Sequence, residues 1–163
     1  MSHDADTVRF QLGRSPRKPW RVAERCTYGF PTVIATPSRL ATGEPFPTTF
    51  YLTCPHLVAA VSALESAGEA DRWARRLAAQ PALAARMRAA DAAYRAARAA
   101  HSAGDDACAD VGIAGQRDPL ATKCLHAHVA AALSGIDDPV GCGVLAAVEL
   151  ECRDVRCGAA EGA

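Results

Sequence analysis

The stretch TTFYLTCPHLVAAVSALESAG, residues 48–68, places a strand pattern directly before a helix pattern. Residues 48–54 are aromatic and β-branched, which is typical of a β-strand. Pro55 suits the first turn of a helix, and Thr53 or Cys54 precedes it as the cap. The apolar positions that share one face of this helix are Leu57, Val58, Val61 and Leu64. The stretch therefore predicts a strand that leads straight into a helix.

Two further strand patterns precede this stretch. In PWRVAERC, residues 19–26, apolar and charged side chains alternate, as they do in a half-buried strand. A Tyr-Gly turn follows, and a second strand is predicted over residues 32–36, before a loop rich in Pro and Gly. If the three strands form an antiparallel meander, the first and third run in the same direction. Cys26 and Cys54 then lie at one end of the sheet, roughly 10 Å apart across the middle strand.

The chain after this sheet is predicted to be mostly helical. Gly68 ends the first helix, and a second helix carrying Trp73 and Leu77 stops before Pro81. A long amphipathic helix follows, and the residues of its apolar seam are Leu83, Met87, Ala90, Tyr94, Ala97 and His101. The abundant alanine of this region also favours helix.

The last third of the chain begins with residues 102–117, which are small and polar and predict a mobile loop. Asp118-Pro119 then begins a helix over residues 119–134, and a short helix is predicted over residues 143–150. The fold class is therefore α+β, a small N-terminal antiparallel sheet of about three strands followed by a helical C-terminal half.

The length of the chain predicts one α+β domain over residues 1–157. Its helical part begins at about residue 55, and residues 158–163 are predicted to be a disordered tail.

Charge and hydropathy exclude several classes of protein. The chain has 18 basic and 18 acidic residues, so it lacks the charge excess of a protein that binds nucleic acid or a membrane surface. No apolar run at the start resembles a signal peptide, and no segment reaches the roughly 18 apolar residues that span a bilayer. We therefore expect a cytoplasmic protein without nucleic-acid or membrane partners.

Seven cysteines are many for a chain of 163 residues. Their odd number, the lack of an export signal and a chain long enough to build a core all argue against a disulfide scaffold. In a reducing cytosol, cysteines that are not simply small core residues serve metal binding or redox chemistry. Cys54 also begins a helix, where the free N–H groups and the dipole favour a thiolate.

The segment TKCLHAHVAAAL, residues 122–133, carries one thiol and two imidazoles. At about 100° per residue, Cys124 and His128 lie one helical turn apart on nearly the same face. His126 lies about 200° from Cys124, on the other side of such a helix. Helix geometry therefore favours Cys124 with His128 at a common ion, unless the helix begins later than residue 119.

Four stretches together resemble a known family. RCTYGFPTV, GEPFPTTFYLTCP, KCLHAHVAAAL and the DPVG that follows are similar to the actinobacterial family called domain of unknown function 501. The resemblance runs from about Gln11 to Leu145. It implies that Cys26, Cys54, Cys124 and His126 occupy family positions, as do the residues Gly29, Pro31, Pro45, Pro47, Pro55 and Lys123. The resemblance therefore favours His126 over His128 as the histidine that acts with Cys124.

The resemblance assigns no activity. Genes of this family often lie beside those for a septum-formation initiator and an exopolyphosphatase-like enzyme, which implies a setting in division or envelope growth. This chain also departs from the family pattern, with Leu120 and Ala121 in place of an acid and an arginine. Ala131 replaces a common histidine and Cys142 a usual aspartate, so mechanisms that need those groups are in doubt.

The sequence is compatible with three functions. The first is a structural or regulatory metal site of Cys26, Cys54, Cys124 and one of His126, His128 or Cys142. This set suits tetrahedral zinc or an iron–sulfur cluster. The alternative for Cys54 and Cys124 is that they are small buried residues of the core.

The second function is thiol chemistry, with Cys54 or Cys124 as nucleophile and His126 as its base. No hydrolase or redox motif supports it, so a role other than catalysis is favoured. The third function is a protein-interaction module, in which the Leu83–Met87–Tyr94 face of the long helix docks a partner, unless that face belongs to the core. No role is assigned to Cys108, Cys152 or Cys157, and Cys142 has none beyond that of a lesser ligand candidate.

Overall fold

The computed structural model describes residues 2–162. In this range the chain forms three strands and six α-helices. The strands are β1 (Arg21–Arg25), β2 (Pro31–Ala35) and β3 (Phe50–Leu52). The helices are α1 (Ser2–Leu12), α2 (Pro55–Ser66), α3 (Glu69–Ala79), α4 (Pro81–His101), α5 (Leu125–Leu133) and α6 (Pro139–Ala146). Two 3₁₀ helices, Ile113–Gly115 and Arg156–Gly162, complete the fold.

The sheet is an antiparallel meander in the order β1-β2-β3. All residues of the central strand β2 are buried, whereas β1 is half-exposed and its pairing is irregular on both sides of Glu24. The predictions of an α+β fold and of a three-stranded antiparallel sheet are confirmed. Cys26 follows β1 and Cys54 follows β3 closely, so both lie at the same end of the sheet.

The helix α1 is absent from the sequence-based prediction. It carries few apolar side chains, but Val8 is fully buried and Gln11 Nε2 donates a hydrogen bond to the Pro31 carbonyl over 2.7 Å. Contacts of this kind with the first residue of β2 are made only in the folded protein. Local amphipathicity therefore could not predict this helix.

The helices α2, α3 and α4 agree with their predictions. α2 begins at Pro55 after Cys54, although no side chain caps it, and Gly68 (φ 85°) lies in the left-handed turn that separates it from α3. In α4 the predicted seam faces the core, where Met87 and Tyr94 are completely buried. The Tyr94 hydroxyl accepts a hydrogen bond from the Thr49 N–H over 2.9 Å and so ties α4 to the start of β3.

Two sequence-based interpretations are corrected along α4. The Leu83–Met87–Tyr94 face belongs to the core and is not free to dock a partner. The predicted mobile loop of residues 102–117 packs against α4, because the fully buried Arg98 donates to the carbonyls of Cys108 and Val111. The charge of Arg98 is matched by Asp106, whose carboxylate lies 2.9 Å from its Nε.

The helix α5 begins later than predicted. Asp118 accepts a hydrogen bond from the Leu120 N–H in a local turn, and the chain stays non-helical as far as Cys124. Cys124 is the residue that precedes the helix, with an extended backbone (φ −143°, ψ 108°). The predicted start at residue 119 is therefore wrong, and Cys124 is not part of the helix that carries the two histidines.

The helix α6 begins about four residues before its predicted position. The Asp138 side chain caps it, because the carboxylate accepts hydrogen bonds from the N–H groups of Val140 and Gly141. Gly141 also allows a close approach to α5, since a Cβ atom at this position would lie 2.1 Å from the carbonyl oxygen of His128.

The end of the chain packs on its beginning. Cys157 is buried, and Gln11 Nε2 lies 3.3 Å from its Sγ. The 3₁₀ helix Arg156–Gly162 occupies most of the range in which the sequence predicts a disordered tail. The single domain over residues 1–157 stays a prediction. Within the described range, no helix combines the length and the apolar character that crossing a bilayer requires.

Candidate metal centre

Cys124 and His126 meet at the N-terminal end of α5. Because Cys124 has an extended backbone and the helix begins at Leu125, the angular argument for a continuous helix does not apply to this pair. The Sγ atom of Cys124 lies 3.9 Å from Nδ1 of His126. The structure therefore pairs Cys124 with the histidine that the family resemblance favours.

Glu65 is the third member of the cluster, and the sequence analysis missed it. Its Oε1 lies 3.2 Å from Nδ1 of His126 and accepts a hydrogen bond from the Leu125 N–H over 2.7 Å. A faint signal was present in the sequence, because an acidic residue in the last turn of a helix is disfavoured by the helix dipole. Glu65 occupies such a position in α2, and its contacts with Leu125 and His126 explain why an acidic residue is found there.

Sulfur, nitrogen and oxygen atoms converge in this cluster. One ligand atom from each of Glu65, Cys124 and His126 lies within 4.8 Å of the other two. Among the residues whose side chains are described, no other group of three or more His, Cys, Asp or Glu residues meets this condition. Ligand atoms around a tetrahedral zinc ion are about 3.3–3.6 Å apart, so the observed separations approach that arrangement.

The second ring nitrogen of His126 is held by the protein. Nε2 lies 3.3 Å from the Val58 carbonyl and 3.1 Å from the Ser62 hydroxyl, both on α2. Since a carbonyl oxygen can only accept, Nε2 carries the hydrogen in this contact. Metal-bound histidines commonly donate their other N–H in this way, which orients the ring and leaves Nδ1 for the ion.

The charges of the cluster favour a cation. The pKa of His126 is raised to about 9, first by its hydrogen bond with the Cys124 sulfur and further by the charge of Glu65, while burial opposes the shift. His126 is therefore protonated at neutral pH in the metal-free protein. That proton occupies the atom that faces both the thiol and the carboxylate, and a metal ion would replace it.

The same geometry is unfavourable for a catalytic triad. In such a triad one ring nitrogen faces the nucleophile and the other faces the orienting acid. Here Cys124 and Glu65 both lie against Nδ1 of His126, and Nε2 faces α2 instead. The thiol and the acid are therefore arranged around one point, as ligands are.

A cavity of about 390 Å³ lies beside Cys124 and His126. Both side chains contribute to its wall, together with residues of β3, α2, α5 and the 3₁₀ helix. The lining residues other than these two are Thr48, Phe50, Tyr51, Leu52, Val58, Ala114 and Ala127. The candidate metal ligands thus border a mostly apolar space.

The structure does not bring Cys26 and Cys54 into this cluster. Cys54 immediately precedes α2, while Ser62 and Glu65 lie eight and eleven residues further along, a helical rise of roughly 12 and 16 Å. Burial raises the pKa of the Cys54 thiol, against the backbone N–H groups of His56 and Leu57 that lower it. Cys26 lies in the β1–β2 turn, where its N–H donates to the Phe30 carbonyl.

The lesser candidates also lie elsewhere. His128 is completely buried, and its Nδ1 lies 2.7 Å from Oδ2 of Asp138 while its Nε2 has no hydrogen-bond partner. The geometric pairing of Cys124 with His128 assumed one continuous helix through both residues, and this premise does not hold, because α5 begins after Cys124. Cys142 is exposed on α6, where partial burial and the charges of Asp137 and Asp138 raise its pKa.

All seven cysteines are free thiols. Cys108 is buried beside Arg98, and its Sγ lies 3.7 Å from the Ser38 carbonyl. Cys157 is the buried contact between the 3₁₀ helix and α1, and burial raises the pKa of its thiol. Neither residue belongs to a group with metal-ligand spacing.

Comparison with known proteins identifies a family and no activity. Residues 22–146 match the model of a family described as "Protein of unknown function (DUF501)". The matched range covers most of the chain and includes all three members of the cluster, so the resemblance seen in the sequence is confirmed. No curated protein and no solved structure matches the chain.

Proposed function

The chain belongs to the DUF501 family, and we propose that it is a metal-binding protein that holds one zinc ion through Cys124, His126 and Glu65. The observation that carries the proposal is the convergence of one sulfur, one nitrogen and one oxygen atom within 4.8 Å of one another. Thiolate, imidazole and carboxylate are all established zinc ligands.

The donor set favours zinc over an iron–sulfur cluster. Such clusters are held mainly by several cysteine thiolates, and the site contains a single cysteine. Three protein ligands leave the fourth tetrahedral position to water or to a bound molecule. Sites with such an open position are typical of catalytic and regulatory zinc, whereas structural zinc is closed by four protein ligands.

We infer a cytoplasmic location from this proposal. The site requires Cys124 as a reduced thiolate, and a reducing compartment keeps thiols in that state. The free state of all seven cysteines is compatible with it. A protein partner from the division or envelope machinery stays a hypothesis from gene context.

The test is metal binding by the purified full-length protein under reducing conditions. We expect one zinc ion per chain, and a thiolate-to-metal charge-transfer band when cobalt replaces zinc. Cys124→Ser and His126→Gln should each lower zinc affinity by more than the roughly 10- to 100-fold that outer-shell substitutions cost. The matched control is Cys142→Ser, which removes an exposed thiol outside the cluster.

Two results would overturn the proposal. The first is wild-type protein that is folded, reduced and still free of zinc after dialysis against a zinc buffer. The second is a Cys124→Ser variant that keeps wild-type affinity. Cys26→Ser and Cys54→Ser in the same titration test the ligand set predicted from sequence, since that set requires both thiols.

A further inference from the structure

The cavity beside Cys124 and His126 has the character of a binding site for one class of small molecule. Its volume of about 390 Å³ falls within the range of ordinary ligand pockets, roughly 300–1,000 Å³. Residues of β3, α2, α5 and the 3₁₀ helix Ile113–Gly115 form its wall, and the cavity is partly open to solvent.

The side chains that line the cavity favour a ligand whose larger part is apolar. Aromatic and aliphatic side chains dominate the lining, and the only hydroxyl side chains among them are those of Thr48 and Tyr51. No lysine or arginine lines the cavity. A phosphate or a nucleotide therefore finds no counter-charge on the wall itself, and the groups that can hold a polar head are the two candidate metal ligands.

Two small residues keep the space open. Ala127 is on α5, one residue after His126, and Ala114 is in the 3₁₀ helix Ile113–Gly115. Ala114 has a left-handed backbone (φ 58°, ψ 18°), a conformation that alanine rarely adopts. Strained backbone of this kind clusters at ligand sites, where the surrounding structure enforces it.

We propose that this cavity binds an aliphatic monocarboxylate, with its chain against the apolar wall and its carboxylate at the open position of the metal. The inference rests on the proposed function, because the metal is the anchor for the head. A carboxylate oxygen is a normal zinc ligand and replaces the water there without a proton transfer. The chain gains affinity through burial in the cavity.

The experiment uses full-length, cobalt-loaded protein and three probes: acetate, butanoate and octanoate. Each is titrated while the visible cobalt spectrum reports coordination of the carboxylate. We expect the same spectral end point for all three. The dissociation constant should fall with chain length, by up to roughly fourfold for each methylene that the cavity buries.

Variants that fill the cavity sharpen the test. Ala127→Phe should weaken octanoate binding at least tenfold and leave acetate binding unchanged, because acetate needs only the metal. Val58→Phe fills the cavity from α2 and serves if Ala127→Phe does not fold. The matched control is Ala96→Phe, which adds the same side chain at an exposed position of α4 and should change neither probe.

The outcomes separate the two proposals. If cobalt does not bind, the proposed metal site fails and this inference falls with it. If cobalt binds but affinity is independent of chain length, or if the filled variants bind octanoate as well as the wild type, the ligand inference is overturned and the metal site stands.

Discussion

The Glu65 carboxylate accepts the backbone N–H of Leu125 over 2.7 Å, and the two residues are 60 positions apart in the chain. This hydrogen bond satisfies one of the free N–H groups at the start of α5, a task that side chains of the preceding residue usually perform. The same oxygen lies 3.2 Å from Nδ1 of His126. One carboxylate therefore helps to start the helix and also faces the histidine that the helix carries.

Two substitutions of Glu65 should separate these roles. Glu65→Gln keeps an oxygen that accepts the Leu125 N–H but loses the charge that faces His126, so we expect a small loss of stability and weaker zinc binding. Glu65→Ala loses both, and the missing cap should cost about 1 kcal/mol of unfolding free energy in addition. Urea unfolding of the metal-free protein and a zinc titration measure the two effects. Equal stability of the two variants would contradict the capping role.

The raised pKa of His126 predicts a pH dependence of metal affinity. In the metal-free protein its pKa is about 9, so a proton must leave Nδ1 before zinc can bind. Below pH 9 we expect the apparent dissociation constant for zinc to rise at least tenfold for each unit by which the pH falls, because zinc displaces the His126 proton and any proton that the Cys124 thiol still holds. Competition with a chelator of known pH dependence measures this slope, and a flat profile between pH 6 and 8 would contradict it.

The stability of the metal-free protein depends on pH in the opposite direction, because the contribution of His126 is lost as the pH rises. The folded-state pKa of His126 lies above the ordinary histidine value of 6.5, so protonation favours the folded state. This contribution is fully present below about pH 6.5 and is lost as the pH rises through about 9. The wild type should therefore lose its advantage over His126→Gln across this window. The difference between their urea midpoints, measured without metal, gives the result.

The parts of the fold that were predictable depend on local sequence. The β3–α2 stretch contains its own strand propensity, its own Pro55 start and its own Gly68 stop, and the structure follows it. The start of α5 depends instead on Glu65, which lies far away in sequence. No sequence pattern near residue 119 indicates that the helix begins only at Leu125. The structure brings Cys124 and His126 together, as the predicted site requires, but only the folded chain supplies their third partner.

The segment after α4 shows the same limit. Its composition is that of a loop, and the arginine that orders it, Arg98, looks like one more charge on a helix surface. Burial of that guanidinium is stabilised by Asp106 and by carbonyl groups of the segment itself. Such a buried ion pair depends on the tertiary fold, so the helical period of α4 could not reveal it.

The cysteines outside the cluster give a fourth prediction. Cys54→Ser should leave zinc affinity unchanged, because Cys54 is at the far end of α2 from Glu65. In the wild type its thiol should react slowly with an alkylating reagent at neutral pH, since burial raises its pKa. The exposed Cys142 should react sooner. Mass spectrometry after timed alkylation measures the order, and loss of zinc in Cys54→Ser would favour the ligand set predicted from sequence.

The contact between α5 and α6 provides a test of the scaffold that carries His126. A Cβ atom at Gly141 would lie 2.1 Å from the backbone carbonyl oxygen of His128 and 2.7 Å from the Cβ of Ala132. Backbone cannot move aside as a side chain can, so Gly141→Ala should push the two helices apart. We expect a loss of unfolding free energy of about 1–3 kcal/mol, the usual cost of overpacking.

Gly158→Ala is the matched control, because the added methyl group meets only a Phe30 ring atom at 3.9 Å. Urea unfolding of both variants measures stability, and a zinc titration of each shows whether the displaced α5 still presents His126 to Cys124 and Glu65. We expect Gly141→Ala to bind zinc more weakly than the wild type does. Gly158→Ala should match the wild type in both stability and zinc binding. If the two variants are equally stable and bind zinc equally well, α5 and α6 are not in close contact at Gly141.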